Sequence, residues 1–242
     1  MEGCFMGGNE LLFLFVFFVT NAIMTITGFA GTMLAMPVSI LLLGVEDARF
    51  ILNVTAILTC VFIGIQQWKY ANKKELAKIL FVMLIGMAMG TVLYRVIPLD
   101  FLLPAYGIVI IIVSLQRLLF PQAAQLPRWA YLPVLIAAGI IHGMFVSGGA
   151  LLVMYATLVL LDKSEFRATI AATWAVLDPT FFVLNFDLAL WNTENMMLIG
   201  ACIPLLVLSV WLGNWMHKKI GQDWFMKLTY VLLVLSGLSI IV

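Results

Sequence analysis

Charge is what this sequence has least of. Of its 242 residues only 10% are charged while 64% are hydrophobic, and mean hydropathy is +1.13. A soluble domain carries about 25% charged and about 45–50% apolar residues. A water-exposed globular surface is therefore excluded, and the chain reads as one integral membrane domain with almost nothing outside the bilayer. A net charge of +1 offers no footprint for nucleic acid. Two histidines, His142 and His217, are too few and too far apart for a multi-histidine metal site, and neither a metal nor any other cofactor is expected. The three cysteines, Cys4, Cys60 and Cys202, form no CxxC pair. Cys60 and Cys202 lie in apolar segments, where cysteine behaves as a small hydrophobe.

Other absences exclude other activities. No GxxxxGK[ST] loop is present, nor a soluble domain to hold one, so nucleotide-driven pumping is ruled out. Paired carboxylates and histidine clusters are lacking, which argues against metal hydrolysis. Ser147 and His142 are the one nucleophile–base combination in view. They lie on one segment either side of a kink, a poor arrangement for hydrogen-bond contact and an oriented base, so no enzymatic activity is expected. Met1 to Glu10 has no Lys or Arg, so it lacks the basic start of a signal peptide. Leu11–Thr27 is expected to be a retained first helix.

What is present is a series of apolar segments, at 11–27, 30–44, 49–67, 79–97, 101–120, 129–146, 148–161, 166–186, 195–215 and 223–242. A crossing needs about 20 residues, and 30–44 and 148–161 fall short. Each follows its predecessor with almost no loop, so 11–27 with 30–44, and 129–146 with 148–161, read as glycine-broken helical hairpins. Each hairpin returns the chain to the side it left, whether or not its arms cross fully. The basic loops then fall on one side: Lys69, Lys73, Lys74 and Lys78; Arg117 and Arg128; Lys163 and Arg167; Lys218, Lys219 and Lys227. Only Arg49 and Arg95 of the 13 basic residues lie opposite. The positive-inside rule makes the rich side cytoplasmic, with both termini expected outside a cell inner (plasma) membrane. Trp68, Trp129 and Trp191, at helix ends, are expected in the interfacial belt.

The halves resemble each other. A shift of 118 lays Gly31 on Gly149, Met36 on Met154, Arg49 on Arg167 and Thr55 on Thr173, and a shift of 123 lays Gly90 on Gly213 and Asp100 on Asp223. The expected architecture is an all-α polytopic membrane protein of two repeats, 1–120 and 121–242. Each is a glycine-broken hairpin plus three helices, and they enter the membrane from opposite sides. Inverted repeats with interrupted helices are a recurring plan of secondary transporters.

The glycine turns supply the candidate site. A helix start leaves up to four N–H groups unpaired and carries a partial positive charge, which suits an anion. Gly28, Gly31 and Thr32 of the first turn, and Ser147, Gly148 and Gly149 of the second, are candidate anion ligands; the alternative is close helix packing by small residues. Asn53 and Thr173, polar positions in apolar helices, are candidates for the same site, as Asn21 is for a ligand, or for interhelical hydrogen bonds. Arg49 and Arg167 are candidate attractive gates, or helix-end arginines that snorkel to the interface. Asp178, followed by Pro179, lies mid-segment, where an ionisable group is a functional candidate by default; His142 lies beside the second turn, and histidine is the side-chain type suited to coupling protons near neutral pH. These two are the candidate proton couplers. Asp178 can equally serve the proline kink, or the freed carbonyls there can ligate a cation such as sodium, and His142 can equally be bonded to a backbone carbonyl.

Both repeat openings resemble the TauE/SafE sulfite exporter family, also called the 4-toluene sulfonate uptake permease family. The first copy runs Gly28, Gly31, Pro37, Gly44 and the helix from Arg49. The second runs Gly148, Gly149, Asp162, Arg167 and then Ala168-Thr169-Ile170-Ala171-Ala172-Thr173. The layout covers nearly the whole chain, although neither glycine cluster is a triple glycine and Tyr155 stands where a second proline would be. The resemblance implies a carrier of small sulfur-containing anions such as sulfite, thiosulfate or organosulfonates, and its expected partners are that anion, the lipid bilayer and a proton or sodium ion. An anion channel or a facilitator for other small organic anions is the alternative reading.

Overall fold

The computed structural model describes residues 7–120 and 127–217 together with Tyr230, Val231, Val234 and Leu238. The rest of the expected last segment, Lys218, Lys219, Lys227, Asp223 and Cys4 lie outside the described residues, as do the side chains of Arg117, Lys163 and His217. Within them the apolar runs form nine α-helices and no strand: α1 Gly8–Thr27, α2 Ala30–Leu43, α3 Val45–Gln67, α4 Lys73–Val96, α5 Leu99–Leu119, α6 Tyr131–Phe145, α7 Gly149–Val159, α8 Lys163–Leu184 and α9 Thr193–His217. Six stretches are long and apolar enough to cross a membrane, and they take in α1, α3, α4, α5, α6 and α9. Of 14 and 11 residues, α2 and α7 rise about 21 and about 16 Å, short of a hydrocarbon layer about 30 Å thick. Each hairpin therefore joins a span-length arm to a short one.

Local chemistry sets the helix ends. Asn72 caps α4 by accepting from the Glu75 N–H at 3.1 Å, and Asp162 caps α8 by accepting from the N–H groups of Ser164 and Glu165 at 2.9 and 2.8 Å. The first arm of each hairpin ends in a left-handed residue. Gly28 (φ 85°) donates its N–H to the Met24 carbonyl, and Val146 (φ 52°) donates to that of His142. Glycine takes this conformation freely, whereas a β-branched valine there is a genuine outlier.

Packing joins the halves. The most extensive helix pairs are α4 with α6, α1 with α9, and α3 with α8; α4 also meets α8, α3 meets α9, and α2 meets α7. Glycines permit the closest of these approaches. A Cβ on Gly90 of α4 would sit 2.1 Å from the Ile140 carbonyl oxygen of α6, and one on Gly213 of α9 would sit 2.9 Å from the Ala22 carbonyl oxygen of α1. Gly86, Gly139 and Gly143 line the same α4–α6 seam, each at 2.3–2.4 Å from a facing carbonyl oxygen. Small residues that let backbones approach are the usual adhesive of membrane helices.

Side-chain hydrogen bonds fix which helix ends share a face. Asn72 Nδ2, at the start of α4, donates to Glu165 Oε1, at the start of α8, at 2.6 Å. Asn195 Nδ2, at the start of α9, donates to Asp47 Oδ1, at the start of α3, at 2.7 Å. Arg95 Nη2, at the end of α4, reaches the Leu184 carbonyl at the end of α8 at 3.0 Å. One face thus carries the starts of α4 and α8, and the other the starts of α3 and α9. Trp68, Trp129 and Trp191 sit at helix ends and are 50%, 78% and 46% exposed.

Candidate functional site

The residues singled out from the sequence fall into three groups. At the centre, His142 of α6 and Asp178 of α8 form a pair, with Nε2 3.3 Å from Oδ1. Both are at most 2% exposed. Asn53 of α3 donates its Nδ2 to the Asp178 backbone carbonyl at 3.1 Å, so at least that carbonyl beside Pro179 already has a protein partner. Trp174 stacks on the His142 ring at 5.1 Å and 26°. Around this pair both ring nitrogens of His142, the Oδ1 of Asn53 and the Nε1 of Trp174 are buried without hydrogen-bond partners, Nε2 meeting Asp178 at ion-pair distance only. Two groups a long way apart in the sequence thereby become one buried acid–base pair with spare polar capacity beside it.

The glycine turns form the second group, and they meet. A Cβ on Gly149 would lie 2.8 Å from the carbonyl oxygen of Phe29 in the first turn. Gly31 packs on Met24 of α1, with 2.5 Å between its ideal Cβ and that of Met24; Gly148 faces the Ala138 carbonyl at 2.2 Å. Close packing therefore requires Gly31, Gly148 and Gly149 whatever else they do. The Phe29 and Ala30 N–H groups at the start of α2 share Thr27 Oγ1, both at 3.3 Å, while α7 begins without a side-chain cap. Ser147 Oγ accepts from the Tyr106 hydroxyl at 2.7 Å and not from His142, so the two do not form a nucleophile–base pair. Gly31 and Thr32 border a cavity of about 10 Å³ with Asn21 and Thr55, room for about one water and too small for a sulfur oxyanion. Thr173 donates to the Thr169 carbonyl within α8 at 2.9 Å. Asn21 bridges helices, donating to Ser209 Oγ at 2.7 Å and accepting from Thr59 Oγ1 at 3.2 Å.

The arginines form the third group, and they do not snorkel: Arg49 is 4% and Arg167 8% exposed. Arg49 pairs with Glu46 at 3.1 Å, contacts Asn185 Oδ1 at 3.5 Å and lies over the Tyr94 ring at 3.6 Å. A cavity of about 20 Å³ beside it reaches Asn53. Arg167 donates Nη2 to Asn214 Oδ1 at 2.8 Å and lies against the Gly28 turn, its Cγ 3.7 Å from the ideal Cβ position there. Among the described residues no cluster of three or more His, Cys, Asp or Glu suited to a metal ion occurs.

Reading the sequence missed Trp174, Tyr106, Asn214 and both asparagine–carboxylate contacts. The last were within reach. Asp47 and Glu165 are related by the shift of 118 that pairs the arginines, and Asn72 and Asn195 by the shift of 123 that pairs the glycines.

Neither a protein of curated function nor a solved structure matches the chain. Residues 12–240 match the family described as sulfite exporter TauE/SafE. That match takes in α2 to α9 and all but the first turn of α1, and the chain belongs to the TauE/SafE sulfite exporter family of membrane transporters.

Proposed function

We propose that this chain is a secondary transporter that carries small sulfur-containing oxyanions by alternating access between two halves of inverted topology. The observation that carries this reading is that the interhalf contacts exchange under the repeat shifts. Gly90 on Ile140 becomes Gly213 on Ala22, and Asn72 on Glu165 becomes Asn195 on Asp47. The same exchange relates the left-handed residues Gly28 and Val146. Two halves that make the same contacts in opposite senses can trade conformations, which is the physical basis of rocking around a central site. The asparagine–carboxylate contacts then act as latches, one at each face.

Where the halves differ chemically is also informative. His142 and Asp178 correspond to Met24 and Cys60 in the first half, both buried. Packing alone is satisfied by a methionine and a cysteine at these places, so the acid–base pair is the part assigned to coupling. A proton taken up by the pair and released on the opposite side would tie anion movement to the pH gradient. The Lys69, Lys73, Lys74 and Arg128 face is assigned to the cytoplasm by the positive-inside rule.

The test is flux into proteoliposomes of sulfite, thiosulfate, short sulfonates and carboxylates, with and without a pH gradient. Saturable flux of a sulfur anion that responds to the gradient is the expected result. Transport of carboxylates alone would discard the substrate assignment, and non-saturating conductance would replace the carrier with a channel.

A further inference from the structure

Arg167 is a buried cation with no opposite charge within ion-pair distance among the described residues. Among the described residues its guanidinium makes one hydrogen bond, to the neutral Asn214 amide, its Nε has no partner, and no carboxylate lies within ion-pair distance. Its repeat counterpart Arg49 is compensated by Glu46 at 3.1 Å and by the Tyr94 ring. Both arginines stand fifth in their helices and both have an unpartnered Nε, so what sets them apart is the carboxylate and the aromatic rings beside Arg49. A charge on a residue only 8% exposed, with no counter-ion among the described residues, is unfavourable unless an anion completes it.

The surroundings add a second positive feature. The Arg167 side chain lies against the Gly28 turn, from which α2 begins, and a helix start carries partial positive charge. The protein acceptor at that start is Thr27 Oγ1, divided between two N–H groups at 3.3 Å each. An arginine whose stem rests on this turn and whose fork keeps an unpartnered Nε suits a small ligand with negative charge and several acceptor oxygens, the description of a sulfur oxyanion.

We infer that Arg167 and the Gly28 turn form the anion-loading site on the face where α4 and α8 begin. This rests on the transport reading above and adds a direction to it. That face carries Lys69, Lys73, Lys74 and Arg128, which concentrate anions near it. Cargo is loaded from the basic, cytoplasmic side, as export requires.

The experiment compares the parent, Arg167→Gln and Arg167→Lys in detergent by thermal unfolding in thiosulfate, sulfite or chloride at matched ionic strength. A ligand that binds only the folded state raises apparent stability by mass action. In chloride, Arg167→Gln should be at least as stable as the parent, because an uncompensated buried charge has been removed. Its half-saturating thiosulfate concentration should rise about tenfold or more, the loss of one charged hydrogen-bond donor. Arg167→Lys keeps the charge but not the planar fork; it should fall between, and it decides the matter should the glutamine variant fail to fold. A glutamine variant less stable in chloride yet with the parent's thiosulfate response makes Arg167 structural and overturns the site. Proteoliposome flux of thiosulfate is read on the same three proteins. Parent flux that Arg167→Gln leaves unchanged overturns the site alone, whereas a parent with neither thermal response nor flux overturns the transport assignment and the site with it.

Discussion

Asn72→Ser should open the protein on the face where α4 begins. Serine still caps α4, because its hydroxyl can accept from the Glu75 N–H as the Asn72 Oδ1 does at 3.1 Å. It is too short to reach Glu165, so what is lost is the 2.6 Å bond from Nδ2 to that carboxylate. A hydrogen bond to a charged group contributes about 1.5–3 kcal/mol. At about 1.4 kcal/mol per factor of ten, losing roughly 2 kcal/mol raises the population open on that face about 30-fold, provided the closed state dominates in the parent. The assay uses a cysteine-free background carrying Thr173→Cys, one turn deeper than Thr169 in α8 and fully buried. Labelling by a membrane-impermeant maleimide is timed from each side of oriented vesicles. The expected result is a rate increase of that order from the α4-entry face, and none from the other. Asn195→Ser, which loses the 2.7 Å contact to Asp47, should give the mirror result. Equal labelling of both variants and the parent, or a rise on the wrong face, would refute the latch argument.

Three further outcomes are expected. Gly90→Ala places a Cβ 2.1 Å from the Ile140 carbonyl oxygen, whereas Gly213→Ala meets first the Thr25 Cβ, at 2.6 Å. Both should lower the unfolding midpoint, by the equivalent of roughly 1–3 kcal/mol of overpacking, and Gly90→Ala, which faces backbone, should lower it more. Gly149→Val, 2.8 Å from the Phe29 carbonyl oxygen at its Cβ, should destabilise the junction of the turns as well as weaken anion binding; an unchanged midpoint would show that the turns separate freely. Asp178→Asn removes the acid 3.3 Å from His142, and in proteoliposomes anion flux should persist down its own gradient but cease to respond to a pH gradient. Flux still driven by protons would clear Asp178 of coupling.

Much of the architecture was legible in the sequence because membrane folding is governed by a one-dimensional quantity. Backbone polar groups must be satisfied within each segment, so apolar length alone marked the crossings. The short arms 30–44 and 148–161 reappear as α2 and α7 for the same reason. The glycines at the turns were legible because a left-handed or closely packed backbone leaves few other choices. Chemistry was less legible. Asp178 and His142 could each be ranked as buried ionisable groups, yet nothing along the chain said that they touch, since their contact depends on α6 and α8 presenting those faces to one another. Arg49 and Arg167 could equally have snorkelled; burial is decided by neighbours such as Tyr94 and Asn214, which lie 45 and 47 residues away.

The sequence by itself determined a polytopic helical membrane protein, its two glycine-broken hairpins and the residue types available to an anion or a proton. Hydropathy, helix rise and glycine stereochemistry act over one or two turns and need no knowledge of the partner. Only the tertiary structure decided that His142 and Asp178 form a pair, that Thr27 serves the start of α2, and that Arg49 is neutralised while Arg167 has no counter-charge among the described residues. Those are balances of charge and hydrogen bonding between segments distant in the chain, and such a balance exists only once the helices have chosen their neighbours.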